Sequence, residues 1–139
     1  MANRAKAKGD AAERAVAATL NAAGIPSRRM PAGAASDRGD LWVGERGVYV
    51  IDVKDRADWG HLGQWGERLA SQITHQAAVT GALILKRRGS TDPLTWWVVR
   101  PLALELDVIA AVDGEAVPRV HTRPSGLVVP GGGDGQAVA

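Results

Sequence analysis

The stretch from Arg38 to Lys54 constrains its own geometry more tightly than any other part of the chain. A β-branched run, Val48 to Val53, follows the turn Gly44-Glu45-Arg46-Gly47. The pattern predicts a β-hairpin. A three-residue loop of Glu45, Arg46 and Gly47, with Gly47 left-handed, pairs Gly44 with Val48, Trp42 with Val50 and Asp40 with Asp52. A two-residue turn at Glu45-Arg46 would instead pair Asp40 with Ile51 and separate the two acids. In the first register both carboxylates face each other, and Lys54 shares their face because strand side chains alternate. Like charges directly opposite are destabilising, so a bound cation is the physical reason to keep them. Two carboxylates around Mg²⁺, with a lysine beside them, outline a site for phosphodiester hydrolysis.

Residues 1–9 read as a mobile basic arm carrying Arg4, Lys6 and Lys8. A helix is expected from Asp10, its N-cap, to about Ala23, with Gly24 ending it and Val16 and Leu20 on its apolar stripe. Ile25 to Met30 forms a short edge strand, and Pro31 to Ser36 a small-residue loop. A second helix is expected from Trp59 or Gly60 to about Thr80, with Leu62, Trp65, Leu69, Ile73 and Gln76 near one face and Gly81 as its stop. Ala82 to Leu85 and Trp96 to Val99 read as strands, Ser90 to Leu94 as a turn, and Leu102 to Val112 as a third helix. The order predicts an α/β fold: a mixed β-sheet flanked by helices. It divides into a basic arm (1–9), one domain (10–112) and a C-terminal extension (113–139) whose glycine-rich end is expected to be disordered.

Each candidate residue also has a plainer reading. Asp40 and Asp52 as solvated surface acids is the plain alternative, but an Asp inside Val50 to Val53 goes against strand propensity, as functional residues do. Asp37 competes with Asp40, although alternation would point it to the opposite face. Lys54 is either a strand-end lysine pairing with Asp55 or a group stabilising charge on a phosphate. Glu13 fits a capping box with Asp10, yet it also shares a face with Val16 and Leu20, from which it can reach the metal face. Lys86-Arg87-Arg88 is a solvated turn or a phosphate clamp, and Arg28-Arg29 a weaker version of the same. Gln72 and Gln76 read as exposed amides, with Gln76 also able to support the site. The three histidines show no metal-ligand spacing. The tryptophans are assigned to core and surface grooves rather than to base stacking.

Composition removes several classes. With 139 residues and no Cys, the chain suits one domain without disulfides or thiolate metal sites. No apolar run approaches a membrane span, and the N-terminus lacks an apolar signal segment, so a cytoplasmic protein is expected, bacterial or in the host cytoplasm if phage-encoded. The absence of a Gly-x-x-x-x-Gly-Lys loop leaves a nucleotide cofactor without support. Net charge is only +2, though 13 of the 17 cations are Arg, so nucleic-acid binding must rest on clustering.

With Lys8-Gly9 and Glu13 upstream, then Asp37-Arg38-Gly39-Asp40, Asp52-Val53-Lys54 and Leu85-Lys86-Arg87-Arg88-Gly89, the chain resembles the PD-(D/E)XK nuclease superfamily over about residues 8–100. Within it, the likeness is to small Holliday junction resolvases of archaeal and actinobacteriophage type. The resemblance implies a restriction-endonuclease-like core. It also implies Asp40, Asp52 and the Val53 carbonyl as metal ligands, Lys54 as the catalytic lysine and Glu13 as the helix-borne acid. Gly39 stands in place of the motif's Pro, and Asp52 in place of the commoner Glu. The implied activity is an Mg²⁺-dependent endodeoxyribonuclease, with Mn²⁺ able to substitute, acting as a homodimer on four-way DNA junctions. Lys6, Lys8, Arg28, Arg29, Arg38, Lys86, Arg87 and Arg88 are the expected DNA contacts. Two alternatives stay open: a related nuclease of duplex, flap or single-stranded DNA in repair or restriction, and a non-catalytic DNA-binding or assembly protein.

Overall fold

The computed structural model describes residues 4–31 and 37–114. The expected small-residue loop at 32–36 and the tail beyond Gly114 fall outside them, as do residues 1–3. The elements in chain order are α1 (Arg4–Ala22), β1 (Ser27–Arg29), β2 (Leu41–Val43), β3 (Tyr49–Lys54), α2 (Leu62–Gln76), β4 (Thr80–Leu85), a 3₁₀ turn (Pro93–Thr95), β5 (Trp97–Val99) and α3 (Leu102–Asp113).

The five strands lie in the order β1-β2-β3-β4-β5. Only β3 and β4 are parallel; every other pair is antiparallel. The sheet is therefore mixed, as expected, and α2 is the crossover that parallel neighbours require. Ile51 and Val53 of β3 face α1, packing with Leu41, Ile84, Ala12, Val16 and Trp96. Val50 faces the other way, against Leu69 and Ile73 of α2 and Leu104 of α3, with Leu83 and Leu85 beside it. Leu41, Leu69, Leu83, Leu85 and Leu104 are fully buried. Truncating any one to Ala costs about 2–5 kcal/mol.

The hairpin adopts the three-residue form. Gly47 has φ 63°, and its N–H donates to Gly44 O at 3.1 Å. The ladder pairs Leu41 with Ile51, Trp42 with Val50 and Val43 with Tyr49. Continuing that register sets Asp40 beside Asp52.

Two helix boundaries differ from the sequence reading. α1 begins at Arg4, so residues 4–9 are helical rather than a free arm, and Asp10 lies inside the helix instead of capping it. α2 stops at Gln76, well before Thr80. Ala77 takes the left-handed conformation there, and the Ala78 N–H closes the helix end on Ile73 O at 3.0 Å. Gly81 is not a helix stop but part of β4. A Cβ there would lie 2.3 Å from Val50 O, so close pairing of the central parallel strands requires glycine.

Candidate active site

Asp52 lies in the middle of β3 with only 3% of its surface exposed. Alternation turns it, like Val50 and Lys54, toward the α2 side of the sheet. Its Oδ2 is buried without a hydrogen bond. Lys54 Nζ lies 3.2 Å from that oxygen, within ion-pair distance but off hydrogen-bond geometry. The same ammonium sits 5.5 Å from the centre of the Trp65 ring, a cation–π contact that fixes its position.

Asp40 stands one residue before β2. Gly39 makes its placement possible: φ is 88°, and a Cβ would fall 2.4 Å from Val50 Cγ1. The Asp40 N–H donates to Ile51 O at 3.0 Å, and its carbonyl accepts from Met30 N–H at 2.9 Å. The side chain then substitutes for the missing strand: Oδ2 accepts from the Val53 N–H at 2.7 Å. In an extended strand a residue's N–H and C=O point to one edge, so the Val53 carbonyl also faces Asp40. Burial pushes the Asp40 carboxyl up to about 9, reinforced by the hydrogen bond and charge of Asp52. Asp40 therefore keeps a proton at neutral pH beside Asp52.

Two acids pressed together, one kept protonated and the other with a buried oxygen met only by the Lys54 ammonium, are a donor set that could take a divalent cation. Among the described residues no group of three or more His, Asp or Glu side chains is arranged to hold a metal. A cation here would rest on Asp40, Asp52 and the Val53 carbonyl, with water completing its shell.

The pair opens into a cleft of about 620 Å³ lined also by Lys8, Glu13, Lys54 and Arg68. It lies where β3 and β4 end, the usual place for a ligand in an open α/β sheet. Glu13 reaches the cleft, but its carboxylate is held by Arg29 at 2.8 and 3.1 Å, and Asp10 joins the same guanidinium at 3.1 Å. Asp10 and Glu13 thus form an ion-pair cluster with Arg29 instead of a capping box. Arg29, expected as a DNA contact, is committed to those acids. Arg28 is exposed and stacks on Trp42 at 5.1 Å.

Asp37 does not compete with Asp40. It lies on the α2 side as well, outside any strand, but Arg68 Nε donates to it at 2.6 Å and Gln72 Nε2 reaches both its oxygens at 3.0 Å. Its carbonyl contacts His75 Nδ1 at 2.8 Å. Gln72, read as exposed, is buried. Gln76 is not brought to the acid pair: its Nε2 donates to Gly47 O at 3.5 Å, supporting the hairpin turn at the far end of the strands. Arg68 was missed. Its signal was the polar i, i+4 pair Arg68 and Gln72 on a helix that also carries an apolar stripe.

Lys54 does not pair with Asp55. Asp55 instead meets Lys86 at 3.5 Å and Lys8 at 3.8 Å. Lys86 also stacks on Trp96 at 5.6 Å and Arg87 on Trp97 at 5.8 Å. With Arg88 and Arg56 these groups line a smaller, basic recess of about 200 Å³ continuous with the cleft. Lys6 is exposed on α1, and the Arg38 carbonyl accepts from Trp42 Nε1 at 3.2 Å.

Comparison with known protein families, curated proteins and solved structures returns no match to this chain. Among the described residues no helix is long and apolar enough to cross a membrane.

Proposed function

We propose that the protein is a divalent-metal-dependent DNA endonuclease. The observation that carries this reading is the buried acid pair, Asp40 kept protonated beside Asp52, with Lys54 Nζ 3.2 Å from an Asp52 Oδ2 that has no hydrogen bond. Asp40, Asp52 and the Val53 carbonyl would hold Mg²⁺, with Mn²⁺ as a substitute. Such an ion supplies charge neutralisation at a phosphodiester and acidifies water. Asp40 would have to be deprotonated to serve as a ligand, so its proton and the ion would compete for the same oxygens. Lys54, pinned against Trp65, presents a fixed positive charge to the phosphate as charge builds in the transition state. Arg87 and Arg88 contact the flanking backbone without reading sequence, beside Lys8 and Lys86, which flank Asp55.

The substrate class follows from the resemblance to junction resolvases. A four-way DNA junction requires two symmetric cuts, which a twofold homodimer delivers. The test is cleavage of labelled four-way junctions, flaps and duplex in Mg²⁺ and in EDTA. Cutting that needs the metal and disappears in Asp52→Asn supports the reading. Equal cutting by Asp52→Asn, or none on any DNA with Mg²⁺ or Mn²⁺, overturns it.

A further inference from the structure

Beside the cleft lies a second cavity of about 560 Å³ that the acid pair and the basic recess leave unused. That volume is in the range of small-ligand sites, about 300–1,000 Å³. It is lined by Arg56, Asp58, His61, Gln64 and Trp65, the Asp58 carboxylate being engaged by the Gly60 N–H, and it shares Arg56 and Ala57 with the cleft. The loop that forms its wall is held by its own bonds: Trp59 Nε1 donates to Arg56 O at 3.2 Å, and Asp58 Oδ1 accepts from the Gly60 N–H at 2.8 Å. His61 and Trp65 stand one helical turn apart, their ring centres 6.2 Å from each other and their planes tilted by 48°.

We infer that this cavity takes a single unpaired nucleobase of the DNA strand whose phosphate lies over the acid pair; the inference rests on the nuclease reading and names its substrate more closely. Three features argue for a base. The cavity offers the aromatic surfaces of Trp65 and His61, and stacking on aromatic side chains is tolerant of base identity. Gln64 brings an amide with both donor and acceptor groups, the chemistry that meets base edges. Arg56 stands between cavity and cleft, where the phosphate joining the two nucleotides would pass. Trp65 couples the two places directly, because Lys54 Nζ lies over the same ring that lines the cavity. A base seated here bears on the residue that positions the lysine. A fully paired duplex can fill the cavity only by unpairing a base, so the site favours flapped or single-stranded DNA, or a junction opened at its crossover, over intact duplex.

The test uses Asp52→Asn protein in EDTA, so that strands bind uncut. The protein is titrated with a single-stranded oligonucleotide and with the matched blunt duplex, following the tryptophan indole and histidine ring signals by NMR. The Trp65 and His61 signals move with the single strand and not with the duplex. His61→Ala and Gln64→Ala, both at exposed positions that leave the fold intact, each weaken single-strand affinity several-fold and leave duplex affinity unchanged. Trp65→Leu weakens it roughly tenfold or more. Equal movement with duplex, or single-strand binding that leaves Trp65 and His61 unmoved, overturns the subsite and spares the nuclease reading. No binding of either DNA also overturns the subsite, while the nuclease reading stands or falls on cleavage of four-way junctions.

Discussion

Asp37 and Asp40 are three residues apart and live in opposite electrostatic worlds. For Asp37, partial burial pushes the carboxyl up, but hydrogen bonds from Gln72, Arg68 and the Gly39 N–H, with the Arg68 charge, outweigh it and hold the group below the usual carboxylate value. For Asp40, burial and the adjacent Asp52 act together and drive it up to about 9. One acid is fully partnered and ties a loop to α2. The other is destabilised where it stands and is relieved only by a proton or a cation. A partnered acid is what stability favours; a frustrated pair is what a functional site tolerates.

Removing the pair has the largest expected effect. Asp52→Asn lowers metal-dependent cleavage by roughly a hundredfold or more, because the ligand and its charge are lost together. Asp37→Asn, made in parallel, keeps most of the cutting rate. If both variants lose activity equally, the distinction between the two acids fails.

Stability should separate them in the opposite sense. Asp37→Ala strands the Gln72 amide and the Arg68 guanidinium and costs about 1–2 kcal/mol, discounted for the exposure of the pair, read by denaturant unfolding. Asp40→Asn raises the melting temperature of the metal-free protein at alkaline pH.

The pH dependence sharpens this further. The folded-state pKa of Asp40 is raised to about 9 from an ordinary 3.8. Its contribution to stability is therefore fully present below about pH 4 and is lost as pH rises through about 9. Asp37 behaves inversely: its contribution is present above its ordinary pKa and is lost as pH falls through its depressed one. Metal-free protein should thus lose stability between pH 7 and 9, and Asp40→Asn should flatten that slope. Mg²⁺ competes with the Asp40 proton, so its stabilising effect should be greater at pH 9 than at pH 6. A Mg²⁺ effect independent of pH breaks the account of the pair.

The smallest effect concerns Glu13. Arg29→Ala frees Glu13 and Asp10, and because the Arg29 side chain is 36% exposed the stability change stays within about 1 kcal/mol, read by thermal unfolding. A much larger loss would mean that Arg29 anchors β1 to α1 through more than an ion pair.

The hairpin was legible because its information is local. Gly47 sets the turn, the turn sets the register, and the register brings Asp40 to Asp52. The intruding Asp within Val50 to Val53 marked the site for the same reason. What was not legible depended on distant partners. α1 reaches back to Arg4 because Arg4, Ala5, Lys6, Ala7 and Lys8 are good helix formers and Gly9 does not break it; the meeting of Asp10 and Glu13 with Arg29 is the part no local pattern shows. Asp10 followed by Glu13 therefore read as a cap. Gly81 read as a helix stop because its role is to let Val50 O approach, a tertiary demand. Gln72 read as an exposed helix amide, and Arg68 drew no reading, because their partner, Asp37, is 35 and 31 residues away.

The most direct test of the central claim is a crystal of the protein soaked in Mn²⁺ and measured for anomalous scattering. A single strong peak between the Asp40 and Asp52 carboxylates, within about 2.0–2.3 Å of an oxygen from each, is the predicted result. A peak at Asp37 or Asp55, or none with both carboxylates left as they are, would contradict it.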